Sequence, residues 1–455
     1  LGADHPSTAV ALTNLAVMYD GQGLYSKAEQ LYTRALAIRK NSIGDESPLT
    51  AKSLNNLALL YAKQGSYKKS IVLYKRALAI RQRVLGEDHL STLKSLNGLS
   101  NALVKQGLLD EAEPHFLRLI AGYKSKLGAE HVSTATSMHN LALLYGEMGL
   151  YKNSESLYLQ AHSIYEKKLK PGHSKISTSL DNMATLYATQ GLYSKAESLY
   201  MRSLALKEKT LGMKHPTTSI SLNNLALLYS EKALYHKAEP LYLRALSINE
   251  EALGAEHPTT ANSLGNLALL YTRQGLYRRA EPLLLRALEI REKVLGTEHP
   301  KTATSHNNLG NLYYNQGLFS KAEQSFLSAL SINEKTLGAE HPKTANILGN
   351  LAILYKKQGL YSRAEPLYTR ALSIRENVLG AGHQDTALSL NNLAVLYSQQ
   401  SLNSKAESLY LRALAINEKT LGEEHPLTAN NLNNLSTLYE TQGMYGKAEP
   451  LVRRT

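Results

Sequence analysis

The chain has 455 residues, 43% of them hydrophobic and 20% charged, with a formal net charge of +13. That balance belongs to a folded chain rather than a disordered one. It has no cysteine, which excludes disulfides, thiolate metal sites and cysteine nucleophiles, and no run of 18 apolar residues that could span a membrane.

In chain order, the opening Leu1-Gly2 dipeptide is a ruler. It returns at Leu85, Leu127, Leu211, Leu253, Leu295, Leu337, Leu379 and Leu421, with Ile43 and Leu169 at the two imperfect places. Every step is 42 residues, without insertion or deletion. A single array is expected: ten blocks starting at 1, 43, 85, 127, 169, 211, 253, 295, 337 and 379, and a shortened eleventh over 421–455. A period of this size means stacked supersecondary units, so the usual estimate of domain number from length does not apply. The chain begins at Leu1 rather than Met and stops inside a block, so it reads as a piece of a longer protein.

Each block predicts two helices of about 16 residues. In the first block, Ser26 followed three residues later by Glu29 predicts a capping box opening the second helix, as do Ser194 with Glu197 and Ser404 with Glu407. The third block, 85–126, departs from its siblings at Gly98, Ser100, Asn101, Ala102, Leu103, Leu109, Phe116 and Leu119. The next two drift as well, with His139, His162, Met183 and Lys170-Pro171-Gly172. The seventh block shows the regular pattern. His257-Pro258 starts its first helix, where a proline loses no hydrogen bond. Leu264, Leu267, Ala268 and Tyr271 form one apolar face, and Gln274-Gly275 ends the helix. Ala280, Leu283, Leu284, Ala287, Leu288 and Ile290 give the core face of the second, which Gly296 closes. No β pattern appears, so the predicted class is all-α.

These residues resemble the tetratricopeptide repeat. Leu264, Leu267, Ala268, Tyr271, Gly275, Tyr277, Ala280 and Ala287 match its large–Leu–small–Tyr–Gly–Tyr–Ala–Ala pattern. The 42-residue period, the Leu-Gly…His-Pro junction and the Leu-Asn-Asn-Leu-Ala core are similar to the kinesin light chain variety and to bacterial multi-repeat arrays. The resemblance covers the whole chain and implies a right-handed α-solenoid superhelix of antiparallel helix pairs. It also implies that each first helix faces a concave groove and that the protein is a non-catalytic protein-interaction scaffold. A cytoplasmic location is expected with it.

A helical wheel of the first helix puts Asn262, Asn266, Leu269 and Arg273 opposite the core direction. The Asn266 position is Asn in ten of eleven blocks: Asn14, Asn56, Asn140, Asn182, Asn224, Asn266, Asn308, Asn350, Asn392 and Asn434, with Gly98 the exception. Asparagine is a mediocre helix former, and its amide suits the backbone of an extended peptide. Three residues on stand Val17, Leu59, Leu143, Leu227, Leu269, Ile353 and Val395. These two rows are the candidate peptide-binding groove. The same asparagines could instead brace neighbouring helices, and both readings stand.

Histidine recurs at the junctions from His5 to His425; single histidines one block apart lie too far from each other to share a metal, so helix-start packing is expected. No metal, cofactor or catalytic motif is expected. In the second helix, pairs such as Lys27 and Arg34, Lys237 and Arg244, or Arg279 and Arg286 form a basic stripe. It is read as a solvated outer face interleaved with glutamates such as Glu29 and Glu281, without interleaved aromatics, so nucleic acid is not the expected partner. The partner expected is a protein or peptide. The alternatives are a structural array that associates with itself end to end, or a regulatory segment of a larger multidomain protein.

Overall fold

The computed structural model describes residues 5–21 and 23–454; Leu1, which opens the first block, and Thr455 lie outside them. Among the described residues there are 22 helices, two per block, and no strand. The architecture is a right-handed α-solenoid of antiparallel helix pairs. First helices run 16 or 17 residues, as in Pro258–Arg273; complete second helices run 18 or 19, as in Tyr277–Leu295, longer than the sequence pattern alone suggests.

The junction histidine is the residue that starts each first helix. Its backbone is extended, and its ring Nδ1 accepts the N–H two residues on: 3.1 Å from Thr259 to His257 and 3.0 Å from Lys301 to His299. In the second block, which lacks the histidine, Ser47 caps Leu49 instead. A threonine three residues after the cap ties the junction back, as Thr260 Oγ1 donates to the Gly254 carbonyl at 2.8 Å. Nearly every complete second helix is closed by a glycine of positive φ, such as Gly254 at 99°; after Tyr151–Lys168 the place is taken by Lys170.

The expected capping boxes do not form. Those helices begin one residue earlier, at Tyr25, Tyr193 and Asn403, and the preceding Leu24, Leu192 and Leu402 offer no side-chain oxygen. Ser26, Ser194 and Ser404 therefore sit inside the first turn. Glu29, Glu197 and Glu407 are used differently: each accepts the hydroxyl of a tyrosine in the next block, from Tyr61, Tyr229 and Tyr439 at 2.9, 2.8 and 2.6 Å.

The core runs within each helix pair and on between neighbouring blocks. Leu264, Ala268 and Ala280 are fully buried, and Leu267, Leu284 and Ile290 nearly so. Each Leu or Ile buried this way is worth about 1.5–3 kcal/mol, which no isolated block could collect. In the third block the helices approach more closely. A Cβ on Gly98 would lie 2.4 Å from the Tyr74 ring, and one on Gly122 would lie 2.8 Å from Leu93. At Gly98, where the series lacks its asparagine, the Tyr74 ring fills the space that a side chain would take.

The coil is tight enough for its turns to touch. His299 Nε2 faces the Lys63 carbonyl at 3.2 Å, His341 faces Lys105 at 3.3 Å and His383 faces Glu147 at 3.0 Å. His425 faces Thr189 in the same way. Each rung joins the end of one first helix to the start of another six blocks on. Pro300 packs so closely on Gly65 that a Cβ there would sit 2.6 Å away, and Gly65 has a φ of 74° besides, so glycine is required twice over. The inner helices of successive turns thus meet along a seam.

Candidate inner-wall binding site

Each first helix turns its Leu/Ala/Tyr face to the core, which leaves the opposite stripe on the inner wall. Of the aliphatic row, Leu59 is 48% exposed, Leu227 45% and Leu143 39%; Val17 is also exposed, while Leu269, Ile353 and Val395 are half-buried. Of the amides, Asn14 is exposed and the other nine are half-buried; none is sealed.

The two readings of the amides divide the series in half. Asn140, Asn266, Asn350 and Asn434 donate to Asn97, Asn223, Asn307 and Asn391 of the preceding block, at 3.2, 3.4, 2.9 and 3.0 Å. Asn182 pairs with His139 Nε2 at 2.9 Å. These five brace neighbouring helices. Asn14, Asn56, Asn224, Asn308 and Asn392 make no side-chain hydrogen bond among the described residues. For Asn308 and Asn392 the residue one place before the amide in the preceding block accounts for this. Where it is Gly265 or Gly349, the following Asn308 or Asn392 has nothing to hold.

Two cavities lie where this wall meets the seam. One, of about 460 Å3, is lined by Leu143, Asn182 and Thr185 of the wall and by His341 and Asp385 of the next turn. The other, of about 450 Å3, lies one block further on and includes Asn224 and Leu227.

The junction histidines have both ring nitrogens engaged at the seam. Nδ1 accepts from the cap N–H, so Nε2 carries the hydrogen and donates to the carbonyl of the other turn. Burial among Lys301, Arg291 and Lys343 holds His299 down at about 4; burial and Lys343 hold His341 at about 4.

The basic stripe is paired rather than free, and aromatics do interleave with it, contrary to the sequence reading. Lys237 lies over the Tyr229 ring at 5.4 Å and Arg279 over Tyr271 at 4.0 Å. The Tyr271 hydroxyl also donates to Glu239 at 2.8 Å. The arginines seven residues on form ion pairs with the preceding block, Arg244 to Glu208 at 2.7 Å and Arg286 to Glu250 at 2.8 Å. These tyrosine faces and cations are engaged with one another and with glutamates of the preceding block.

Sequence reasoning missed a row of buried polar residues in the second helix. Arg81, Arg291 and Arg375 are almost fully buried and reach Ser95, Ser305 and Ser389 of the next block. In the fifth block a buried ion pair does this work: Lys207 to Asp181 at 2.6 Å, with Ser221 bound to both. The available signal was a charged residue directly after a core isoleucine, as in Ile290-Arg291, with serine 14 residues on.

Among the described residues no helix is long and apolar enough to cross a membrane. A search of curated proteins finds no match. Among solved structures, the chain is similar to BtubC (BKLC) from P. vanneervenii, at 26% identity over 52% of this chain and 89% of that one, with a TM-score of 0.39. It is also similar to a putative kinesin light chain with nearly identical TPR-like repeats from Podosopora anserina, at 28% identity over 46% and 99% of the two chains, TM-score 0.38. The apo form of RapI matches at 17% identity over 63% and 98%, TM-score 0.48. The tetratricopeptide repeat family matches in overlapping copies over residues 1–41, 49–125, 101–167, 133–209, 175–251, 217–293, 266–335, 301–377, 343–419 and 385–455. This chain belongs to the tetratricopeptide repeat family, whose members generally serve as protein-interaction scaffolds.

Proposed function

We propose that the array is a non-catalytic scaffold whose inner wall binds an extended peptide segment or the surface of another protein. The observation that carries this reading is the set of unengaged amides. Asn56, Asn224, Asn308 and Asn392 have donors and acceptors to spare, and an aliphatic side chain follows three of them by one helical turn: Leu59, Leu227 and Val395. A peptide backbone satisfies the amides, and its side chains cover the aliphatics. The braced amides act instead as spacers that hold the wall in register.

The test begins with affinity capture to identify a partner, whose binding is then measured on variants. Asn224→Ala and Asn308→Ala are expected to weaken it about tenfold each, with the melting temperature unchanged, because neither amide holds anything inside the protein. Asn266→Ala is expected to lower the melting temperature slightly through loss of the bond to Asn223. Unchanged affinity in the first two variants rejects the reading.

A further inference from the structure

The cavity of about 460 Å3 between the two superhelical turns brings three features together. The first is room. Gly146 lines it, at a position where other blocks carry Ser230, Thr272, Tyr314 and Lys356. A Cβ on Gly146 would meet only Ser154 Oγ at 3.5 Å and Leu186 at 3.8 Å, both cavity-lining and both at ordinary contact distance. The second is an unused donor. Tyr151 lines the cavity, is 5% exposed, and its hydroxyl has no hydrogen-bond partner. A buried hydroxyl left this way is destabilising unless something supplies an acceptor. The third is an acceptor on the far side. Asp385, from the next turn, also lines the cavity and forms no ion pair among the described residues. Burial, and after it the Asp385 charge, push the Tyr151 phenol up, yet no hydrogen bond joins the two.

The remaining lining selects the chemistry. Leu109, Leu143, Leu186 and Tyr158 give an apolar surface. Glu147 lies within the fields of Lys105 and Lys343, so the charged rim largely cancels itself. A full charge is therefore not what the cavity selects. A secondary amide is: its carbonyl accepts from Tyr151, its N–H donates toward Asp385, and an adjoining side chain covers the leucines. The cavity reaches the inner wall at Asn182 and Thr185, so it is continuous with the row of amides.

We propose that this cavity is an anchor site that takes one main-chain amide and one apolar side chain of an extended partner segment. The proposal rests on the inner wall being the peptide-binding face. It adds where along eleven blocks the segment is fixed, and it assigns the drift of the fourth block to that task. Because the two turns supply opposite walls, an anchored segment also ties the seam together.

The probe is N-acetyl-leucine N-methylamide, added to the full chain and followed by methyl NMR at Leu143 and Leu186. The expected result is a saturable shift at both in the millimolar range. Tyr151→Phe is expected to weaken it about tenfold while the melting temperature holds or rises, since the lost hydroxyl bonded to nothing. Gly146→Leu fills the cavity and is expected to abolish the shift; the fold tolerates it, since Tyr314 and Lys356 stand at the same position. N-acetyl-glycine N-methylamide and free leucine are expected to bind far more weakly. Absence of a saturable shift overturns the proposal, as does binding indifferent to both substitutions, or free leucine binding as well as the diamide. If Asn224→Ala and Asn308→Ala weaken partner capture while the probe moves neither leucine, the anchor fails and the inner-wall reading survives. If the probe binds and the asparagine variants change nothing, the inner-wall reading is the one that falls.

Discussion

At the scale of the residue, position in the block does not fix a role; the neighbour does. Asn266 and Asn308 are equivalent in sequence, but Asn266 meets Asn223 at 3.4 Å while Asn308 meets Gly265. At Gly98 the Tyr74 ring lies where a side chain would stand. Replacing this glycine with the asparagine of its siblings would drive a side chain into the Tyr74 ring. Gly98→Asn is expected to destabilise the protein by about 1–3 kcal/mol, as overpacking does, and the loss is read in a denaturant melt. At Gly265 a Cβ would meet only the Asn308 amide, at 4.0 Å, and Gly265→Asn is expected to be close to neutral. Of the candidate groove, the row of amides was visible in the sequence because ten of eleven blocks repeat it. Which amides are free was legible only in principle, from residues 43 positions apart, such as Asn223 with Asn266.

At the scale of the element, each helix pair is joined to the next by one compound contact. The Tyr271 ring is buried, Arg279 stacks on its face, and its hydroxyl bonds Glu239 of the preceding block. The Tyr–Glu bond recurs from Tyr61 to Tyr439, and the third block lacks it because Leu103 replaces the tyrosine. Tyr271→Phe keeps the ring and removes the bond. It is expected to cost about 1 kcal/mol in a thermal melt, since Arg279 remains beside the half-buried Glu239. The helix pairs themselves were readable from the 3.6-residue periodicity, but the start of the second helix was not. Ser26 and Glu29 have the spacing of a capping box, yet Leu24 precedes the helix and the glutamate answers a tyrosine 32 residues away. A local motif lost to a contact between blocks.

At the scale of the whole molecule, the seam is what sequence could not show. Small rotations between blocks accumulate over six of them before one turn meets the next, and no local pattern records their sum. The seam makes stability depend on pH. His299 and His341 sit at about 4 in the folded protein, below the ordinary 6.5, so the unfolded chain takes up protons first as pH falls. Their contribution is complete above about pH 6.5 and is lost between there and pH 4. At pH 5 each costs about 2 kcal/mol relative to neutral pH. His383 faces Asp385, which favours its charged form, so the seam is expected to yield first at the rungs of His299 and His341. Small-angle scattering at pH 7.5 and pH 5 checks this: the maximum dimension should grow while helical circular dichroism persists. A His299→Asn, His341→Asn double variant should be extended at both pH values, since asparagine still caps a helix but cannot reach the other turn.

The rungs have a consequence for how such an array can change in length. Every unit carries both halves of the clasp, a carbonyl at one end and an imidazole or its substitute at the other. Gaining or losing a whole unit therefore re-forms the fastening between different partners without redesign, whereas a single inserted residue would throw every later rung out of alignment. Size becomes adjustable in whole steps, and the unbroken spacing is the record of that constraint.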